Sequence, residues 1–459
     1  MINPISSING SETTGRYLVL LRENAIDSGI RTLRDYTGNR RVARAADFDK
    51  SAVTAEQLEQ TDTTVFDNLG VAVCTLDPEQ LQSLHQVSDE SSPIAVIEAE
   101  RVVYALNAQR LGGVIEPLTP SSTSSNLTVE YLTGYRDAVD RLLDHLVPTN
   151  GVQKMLSLPG MQVLDETITT WGLQITKVVN SKFSGRGIKV AVLDTGLDLT
   201  HPDFVGRRIV SKSFIVNQDV QDRNGHGTHC IGTACGPLSP PIPPRYGIGY
   251  ETEIFVGKVL SNQGRGTDSE ILAGIEWAIA NRCQIISMSL GARVFPGQQY
   301  SGLFEVVADR ALRNGTLIIA AAGNESERHL GIVEPVGHPA NCPSIMAVGA
   351  VDSQLQVAWF SCAGLNTNGG QVDIVAPGAE PGTPGGSSRT DIYSTYLMPT
   401  RYRRLRGTSM AAPHVAGIAA LYAEAIGATG RTLWNRITQN ALRLPLPSVD
   451  VGAGLVQAP

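Results

Sequence analysis

The chain has 459 residues, 42 % hydrophobic and 18 % charged, with a formal net charge of −7. This length allows two or three compact units, and the composition is that of a globular protein. The acidic balance argues against a nucleic-acid partner, which needs a basic face, and no apolar run reaches the roughly 18 residues of a membrane-spanning helix.

The opening "MINPISSINGSETTG" has no basic stretch followed by an apolar core, so it does not read as a secretory signal. Cys74, Cys230, Cys235, Cys283, Cys342 and Cys362 form no C-x-x-C pair, which argues against zinc. They read as buried thiols in a reducing compartment, and a cytoplasmic location is expected unless a leader has been trimmed.

Residues 1–16 read as a tail and residues 17–106 as a small α+β domain. "YLVLL" predicts a strand, "SGIRTLRDY" a helix, and "LGVAVCTL" a strand, with one more strand near "RVARAADF". "DPEQLQSLHQV" places Asp77 at a helix N-cap and Pro78 at the first helical position. "IAVIEAERVVYAL" closes the unit as extended chain. Residues 107–165 differ: "EPLTPSSTSSN" is a linker, and Tyr131, Tyr135, Ala138, Val139, Leu142 and Leu146 recur at helical spacing. Asn126-Leu127-Thr128 matches a glycosylation acceptor, which matters only in a secreted eukaryotic chain.

From residue 166 to 459 the pattern alternates α and β. Strands are predicted at "IKVAVL", "IFVGKVL", "IISMSL", "TLIIAAA", "SIMAVGAV" and "VDIVA". Thr267 and Glu270 form a capping box before "ILAGIEWAIA", and Ser301 and Gly315 bracket the next helix. Apolar strands flanked by helices predict an α/β domain: a mostly parallel central sheet with helices on both faces.

Ligands bind beyond the carboxyl ends of such strands. There lie Asp194-Thr195-Gly196, Ser289-Leu290-Gly291 and Gly323-Asn324. "NGHGTHC" adds His226 and His229, without the carboxylate that an H-E-x-x-H metal site requires. In "GTSMAAPHVAG" Ser409 stands at a helix mouth, where amides and dipole favour the oxyanion of acyl transfer. Pro413 is expected in the first turn, where its missing N–H costs little. A serine nucleophile needs an imidazole base and a carboxylate to orient it; Asp194, His226 and Ser409 supply all three.

"VAVLDTGLDLTHPDF", "NGHGTHCIGT", "SMSLG", "AAAGNE" and "RGTSMAAPHVAGIAAL" together resemble the landmark segments of the subtilisin-like serine proteases. "WGLQIT" and "GAGLVQA" resemble the start and end of that family's core. The resemblance implies a serine endopeptidase with Asp194 as orienting acid, His226 as general base and Ser409 as nucleophile. It implies Asn324 as an oxyanion donor beside the Ser409 N–H. It implies a substrate-pairing edge at Ser289, Leu290 and Gly291, an S1 wall at Ala321, Ala322 and Gly323, and an S1 floor near Gly337. Glu325 at the rim would then draw in a basic side chain. Polypeptides are the implied substrates and no cofactor is implied for catalysis. Some relatives bind structural calcium at the aspartate matching Asp203, but the loop "GPLSPPIPPRYG" is short of oxygen ligands.

Residues 17–106 resemble the family's propeptide, a ferredoxin-like folding helper and inhibitor. The chain is therefore expected to be a self-inhibited zymogen that cleaves itself between Leu106 and Asn107. The helix in 107–165 is expected to pack on the catalytic domain. "RYRRLRG", with Arg401, Arg403, Arg404 and Arg406, is read either as a solvated loop or as a basic rim for residues after the scissile bond. Three alternatives are weighed. An aspartic protease would need a second D-[ST]-G, which the chain lacks. A non-catalytic binding protein would be expected to have lost a site residue. A peptide ligase or cyclase would share the same triad.

Overall fold

The computed structural model describes residues 12–38, 41–49, 53–86, 88, 92–106, 164–382 and 390–459. Asn107, the expected helix from Tyr131 to Leu146 and the motif at Asn126 lie outside them. The N-terminal domain runs β1 (Thr13–Leu21), α1 (Ile26–Thr37), β2 (Val42–Arg44), α2 (Ala55–Gln60), β3 (Thr63–Phe66), β4 (Val71–Thr75), α3 (Pro78–Gln86) and β5 (Ile94–Ala105). Its strands lie in the order β5-β1-β4-β3-β2. The first four pair antiparallel, and β2 joins β3 in parallel at the edge. This is the ferredoxin-like order, with the extra strand at "RVARAADF". Asp77 caps α3, accepting from the backbone N–H groups of Glu79 and Gln80 at 2.9 and 2.8 Å.

The expected tail boundary at residue 16 is corrected: β1 begins at Thr13. Thr13 pairs with Arg101 across a register shift, and the Arg16 guanidinium binds Glu100 at 2.8 Å. The polar run "TTGR" shows no apolar alternation because its partners are polar and lie far along the chain.

The C-terminal domain runs α4 (Trp171–Ile175), β6 (Lys189–Asp194), β7 (Ile209–Ser213), α5 (His226–Cys235), β8 (Glu253–Lys258), β9 (Arg265–Thr267), α6 (Asp268–Ala280), β10 (Ile285–Met288), β11 (Leu290–Gly291), α7 (Gly302–Arg313), β12 (Leu317–Ala321), β13 (Met346–Val351), β14 (Ile374–Pro377), β15 (Ile392–Thr395), β16 (Tyr402–Leu405), α8 (Thr408–Ile426), α9 (Gly430–Gln439) and α10 (Ser448–Val451). Seven strands form one parallel sheet in the order β14-β13-β12-β10-β6-β8-β7. Six were expected; β7, "IVSKS", is an edge strand whose polar residues hide it. Helices cover both faces. α5 and α8 pack on each other and on the sheet, while α6 and α7 pack on it and against the N-terminal domain. Both predicted N-caps hold: Thr267 with Glu270 boxes α6, and Ser301 accepts from Phe304 N–H at 3.1 Å.

The N-terminal sheet is buried on both sides, which explains its unbroken apolar runs. Val19, Leu21, Val65, Ala72 and Cys74 face α1 and α3 in a core of their own. Their neighbours Leu18, Leu20, Phe66, Val71 and Val73 join a core shared with Ile271 and Ile275 of α6 and Leu303 and Val307 of α7.

Candidate active site

The strand order reverses beside β6, so polar ends gather there. Asp194 ends β6, Ser289 follows β10, and Asn324 follows β12. His226 opens α5, and its turn is ordered by Asp222. One Asp222 oxygen accepts from the N–H groups of Asn224 and Gly225 at 2.8 and 2.9 Å; the other accepts from Thr228 N–H at 2.9 Å. His226 Nδ1 lies 2.8 Å from Asp194 Oδ1, with both side chains buried. Burial disfavours the imidazolium, yet the Asp194 carboxylate and the Cys230 sulfur carry the His226 pKa well above its ordinary value. Nε2, the nitrogen facing away from Asp194, is buried with no hydrogen-bond partner.

His229 does not join it. Its Nε2 lies 2.9 Å from the Ile392 carbonyl, and burial lowers its pKa to about 3, leaving a neutral structural imidazole. One donor set of metal-binding type occurs among the described residues: Asp194, His226 and Cys230, with ligand atoms within 4.8 Å of one another. Its imidazole Nδ1 is already bonded to the carboxylate.

Ser409 stands in the first turn of α8, after Gly407 as N-cap. Pro413 is placed deeper than expected, inside the helix. A proline cannot donate to the carbonyl four residues back, which here belongs to Ser409. That carbonyl is instead met by Ser289 Oγ at 2.8 Å and Cys230 Sγ at 3.5 Å. The proline thus frees an acceptor that ties the turn of Ser409 to the end of β10 and to the middle of α5. The Ser409 hydroxyl is within bonding reach of the carbonyl oxygens of Leu106 and Ser289, the latter at 3.1 Å. The structure therefore joins Asp194 to His226, and Ser409 to Leu106, with the serine–histidine hydrogen bond unmade.

Leu106 ends the N-terminal domain in an extended strand held from both sides. Leu290 and Gly291 pair with Ala105 and Tyr104. Opposite, Thr267, Gly266 and Arg265 pair with Val102, Val103 and Tyr104. Leu106 N–H donates to Ser289 O at 3.2 Å, and Leu106 O accepts from Asn324 Nδ2 at 2.8 Å. The Asn324 amide is aimed by Thr408, whose N–H and hydroxyl donate to its Oδ1 at 2.9 and 2.8 Å. Gly407 is required beside it: at φ +150°, a Cβ would stand 2.9 Å from Leu106 O.

The Leu106 side chain lies against Gly291, where a Cβ would come within 3.2 Å of its Cδ1. Ala321, Ala322 and Gly323 are buried, and Gly337 N–H donates to Ala322 O at 2.8 Å. Glu325 is half-buried beside Gly323, its carboxylate meeting the Cys362 thiol at 3.2 Å, and burial raises its pKa.

Two polar clusters are answered from within the chain. The Asp203 carboxylate is filled by Tyr246 Oη at 2.5 Å, Tyr402 Oη at 2.9 and 3.0 Å and the Arg401 guanidinium at 3.2 Å. A cation there would have to displace a guanidinium. The arginines of "RYRRLRG" form no open rim: Arg404 pairs with Glu166 at 2.8 Å, Arg406 with Asp391 at 2.8 Å, and Arg403 stacks on Tyr396. Sequence reasoning also missed the second strand edge at β9, the ordering role of Asp222 and Cys230 beneath the histidine. The last two were in view as the fourth residue before and after His226.

Residues 185–454 match the family model described as the Subtilase family. The chain is 40 % identical over 243 residues to subtilisin of Bacillus pumilus, covering 52 % of this chain and 78 % of that protein. It is equally identical to subtilisin E of Bacillus subtilis, of whose length the match spans 56 %. A thermostable alkaline protease of Halalkalibacterium halodurans is 38 % identical over 293 residues, 63 % of this chain and 72 % of that one. With the match covering more than half of its residues and the parallel sheet arranged around the paired Asp194 and His226, the chain belongs to the subtilase family of serine endopeptidases.

Proposed function

We propose that the chain hydrolyses polypeptides through a covalent acyl-enzyme, with Asp194, His226 and Ser409 as its triad, and that residues 12–106 are its own inhibitor, caught in the substrate groove. One observation carries this: the Leu106 carbonyl oxygen accepts from Asn324 Nδ2 beside the Ser409 hydroxyl, on a strand paired at both edges.

For reaction the Ser409 hydroxyl turns from its carbonyl acceptors to His226 Nε2. The base takes the proton as Oγ bonds to the carbonyl carbon, and charge develops on the oxygen held by Asn324. Collapse breaks the C–N bond, and the imidazolium returns the proton to the leaving amine. Water then repeats the sequence, releasing the acid and restoring the serine. Asp194 holds the imidazole and stabilises its charged form throughout. A large apolar P1 residue suits the small-residue wall beside Leu106.

The test is mass spectrometry of the purified wild type beside Ser409→Ala. Wild type is expected to break after Leu106, with the variant intact and still carrying its N-terminal domain. An intact wild type that also fails to react with a serine-directed phosphonate overturns the reading.

A further inference from the structure

We infer that Asp268 extends the substrate groove to a sixth subsite, which selects a basic residue at P6. This rests on the reading above, that the strand between β9 and β11 occupies the place of substrate.

Counting back from Leu106 as P1, Arg101 is P6. Its backbone N–H donates to Asp268 Oδ2 at 3.0 Å, continuing the strand pairing one residue beyond Thr267. Its guanidinium Nη1 lies 3.8 Å from the same oxygen. The other Asp268 oxygen is 2.9 Å from His338 Nε2, and the His338 ring stands edge-on to Phe304 at 4.7 Å. The carboxylate is fully buried and held in one orientation from behind.

Glu98, on the same strand, lies 3.5 Å from the guanidinium and is itself engaged by Ser301 Oγ and Leu303 N–H at the start of α7. Glu98 departs with the N-terminal domain, whereas Asp268 and His338 stay. Once Arg101 has gone, Asp268 Oδ2 presents an open acceptor and a negative charge at the end of β9. An incoming strand in the same register supplies the N–H at P6, whatever its sequence. The side chain then decides: a cation is attracted to the Asp268 carboxylate, and an anion meets like charge there. Position P6 thus becomes a point of selection set by charge, separate from the apolar choice at P1.

The test uses the self-processed enzyme and fluorogenic peptides ending in Val-Val-Tyr-Ala-Leu, preceded by Arg, Ala or Glu. The expected order of kcat/KM is Arg, then Ala, then Glu, with Arg over Glu by about tenfold at low salt, shrinking as ionic strength rises. Asp268→Asn is expected to bring the Arg/Glu ratio within about twofold. The ratio is taken within one preparation, so partial loss of folded enzyme cancels. The wild-type salt dependence serves if the variant does not fold. A wild-type ratio near one, a ratio indifferent to salt, or one that survives Asp268→Asn overturns the inference. Failure to cleave the shorter Val-Tyr-Ala-Leu peptide would instead overturn the proposed function.

Discussion

The two sheets of this molecule bury their apolar residues differently. The central parallel sheet is covered by helices of its own domain, which carry Ser409 and His226 at their mouths. The N-terminal sheet covers one face with α1 and α3 but leaves Leu18, Leu20, Phe66, Val71 and Val73 to a core completed by α6 and α7. One sheet is closed by its own chain segment, the other only by docking. The domain with the borrowed core is also the one whose last strand fills the catalytic groove. Under the proposed function, its folding and its inhibition draw on the same buried area, and a change on the shared face acts on both.

The largest expected effect lies on the central sheet alone. Asp194→Asn should lower kcat by about 10⁴-fold, since the imidazole loses its orienting partner. It should also move the remaining pH limb. The His226 pKa is raised chiefly by the Asp194 carboxylate against burial, and only the neutral ring accepts a proton. Wild-type kcat/KM should climb through an elevated pKa, and the variant's limb should shift to lower pH. Rate profiles from about pH 5 to 10 check both; an unmoved limb would contradict the assigned ion pair.

On the borrowed face, Phe66→Ala removes a fully buried ring, a change that costs about 3–5 kcal/mol in a typical core. The affinity of the separate N-terminal segment for processed enzyme should fall by at least about 10²-fold, read as an inhibition constant, while kcat on a short peptide stays as in wild type. An inhibition constant within threefold of wild type would show that the face contributes little to docking.

The same junction should respond to pH. Burial raises Glu270 to about 8, with Glu100 adding to the shift against bonds from Thr267. Burial likewise raises Glu276 to about 7 against the Asn68 and Leu69 amides that it accepts. Undocked and hydrated, each returns toward the ordinary carboxyl value near ~4.3. The docked state thus binds more protons between those limits. Its affinity is highest below the free pKa and is lost as pH rises through 7 and 8. An inhibition constant that grows about tenfold from pH 5 to 9 is expected; a flat or opposite profile argues against it.

Much of the central sheet was legible because its strands are apolar runs closed by readable caps, such as Thr267 with Glu270, and because the site lies where strands of a parallel sheet must end. Asp194, Ser289 and Asn324 could be placed by that rule. The edge strand β7 and the start of β1 could not, since "IVSKS" and "TTGR" reveal their pairing only through distant partners. Asp203 was raised as a ligand only by the resemblance, and nothing near it in the chain showed what its carboxylate meets. The groups that fill it, Tyr246, Arg401 and Tyr402, come from elsewhere in the chain. The arginine run was misleading for the same reason, each charge being answered by an acid or ring that only folding brings near.

The smallest effect concerns the one proline inside α8. Pro413→Ala gives the helix an N–H aimed at the Ser409 carbonyl, where Ser289 Oγ and Cys230 Sγ now donate. Helix propensity favours the change, by up to about 3 kcal/mol if the site were an unstrained helix interior, so thermal stability should rise or hold. Competition for that acceptor, however, should loosen the tie between the nucleophile's turn and the end of β10. The expected outcome is kcat lower by about two- to fivefold with KM unchanged, measured on a short apolar peptide. A proline kept only as a helix irregularity would raise the melting temperature on replacement and leave kcat alone. A proline that frees an acceptor trades helix stability for the position of one hydroxyl, and the kcat-against-KM split separates the two.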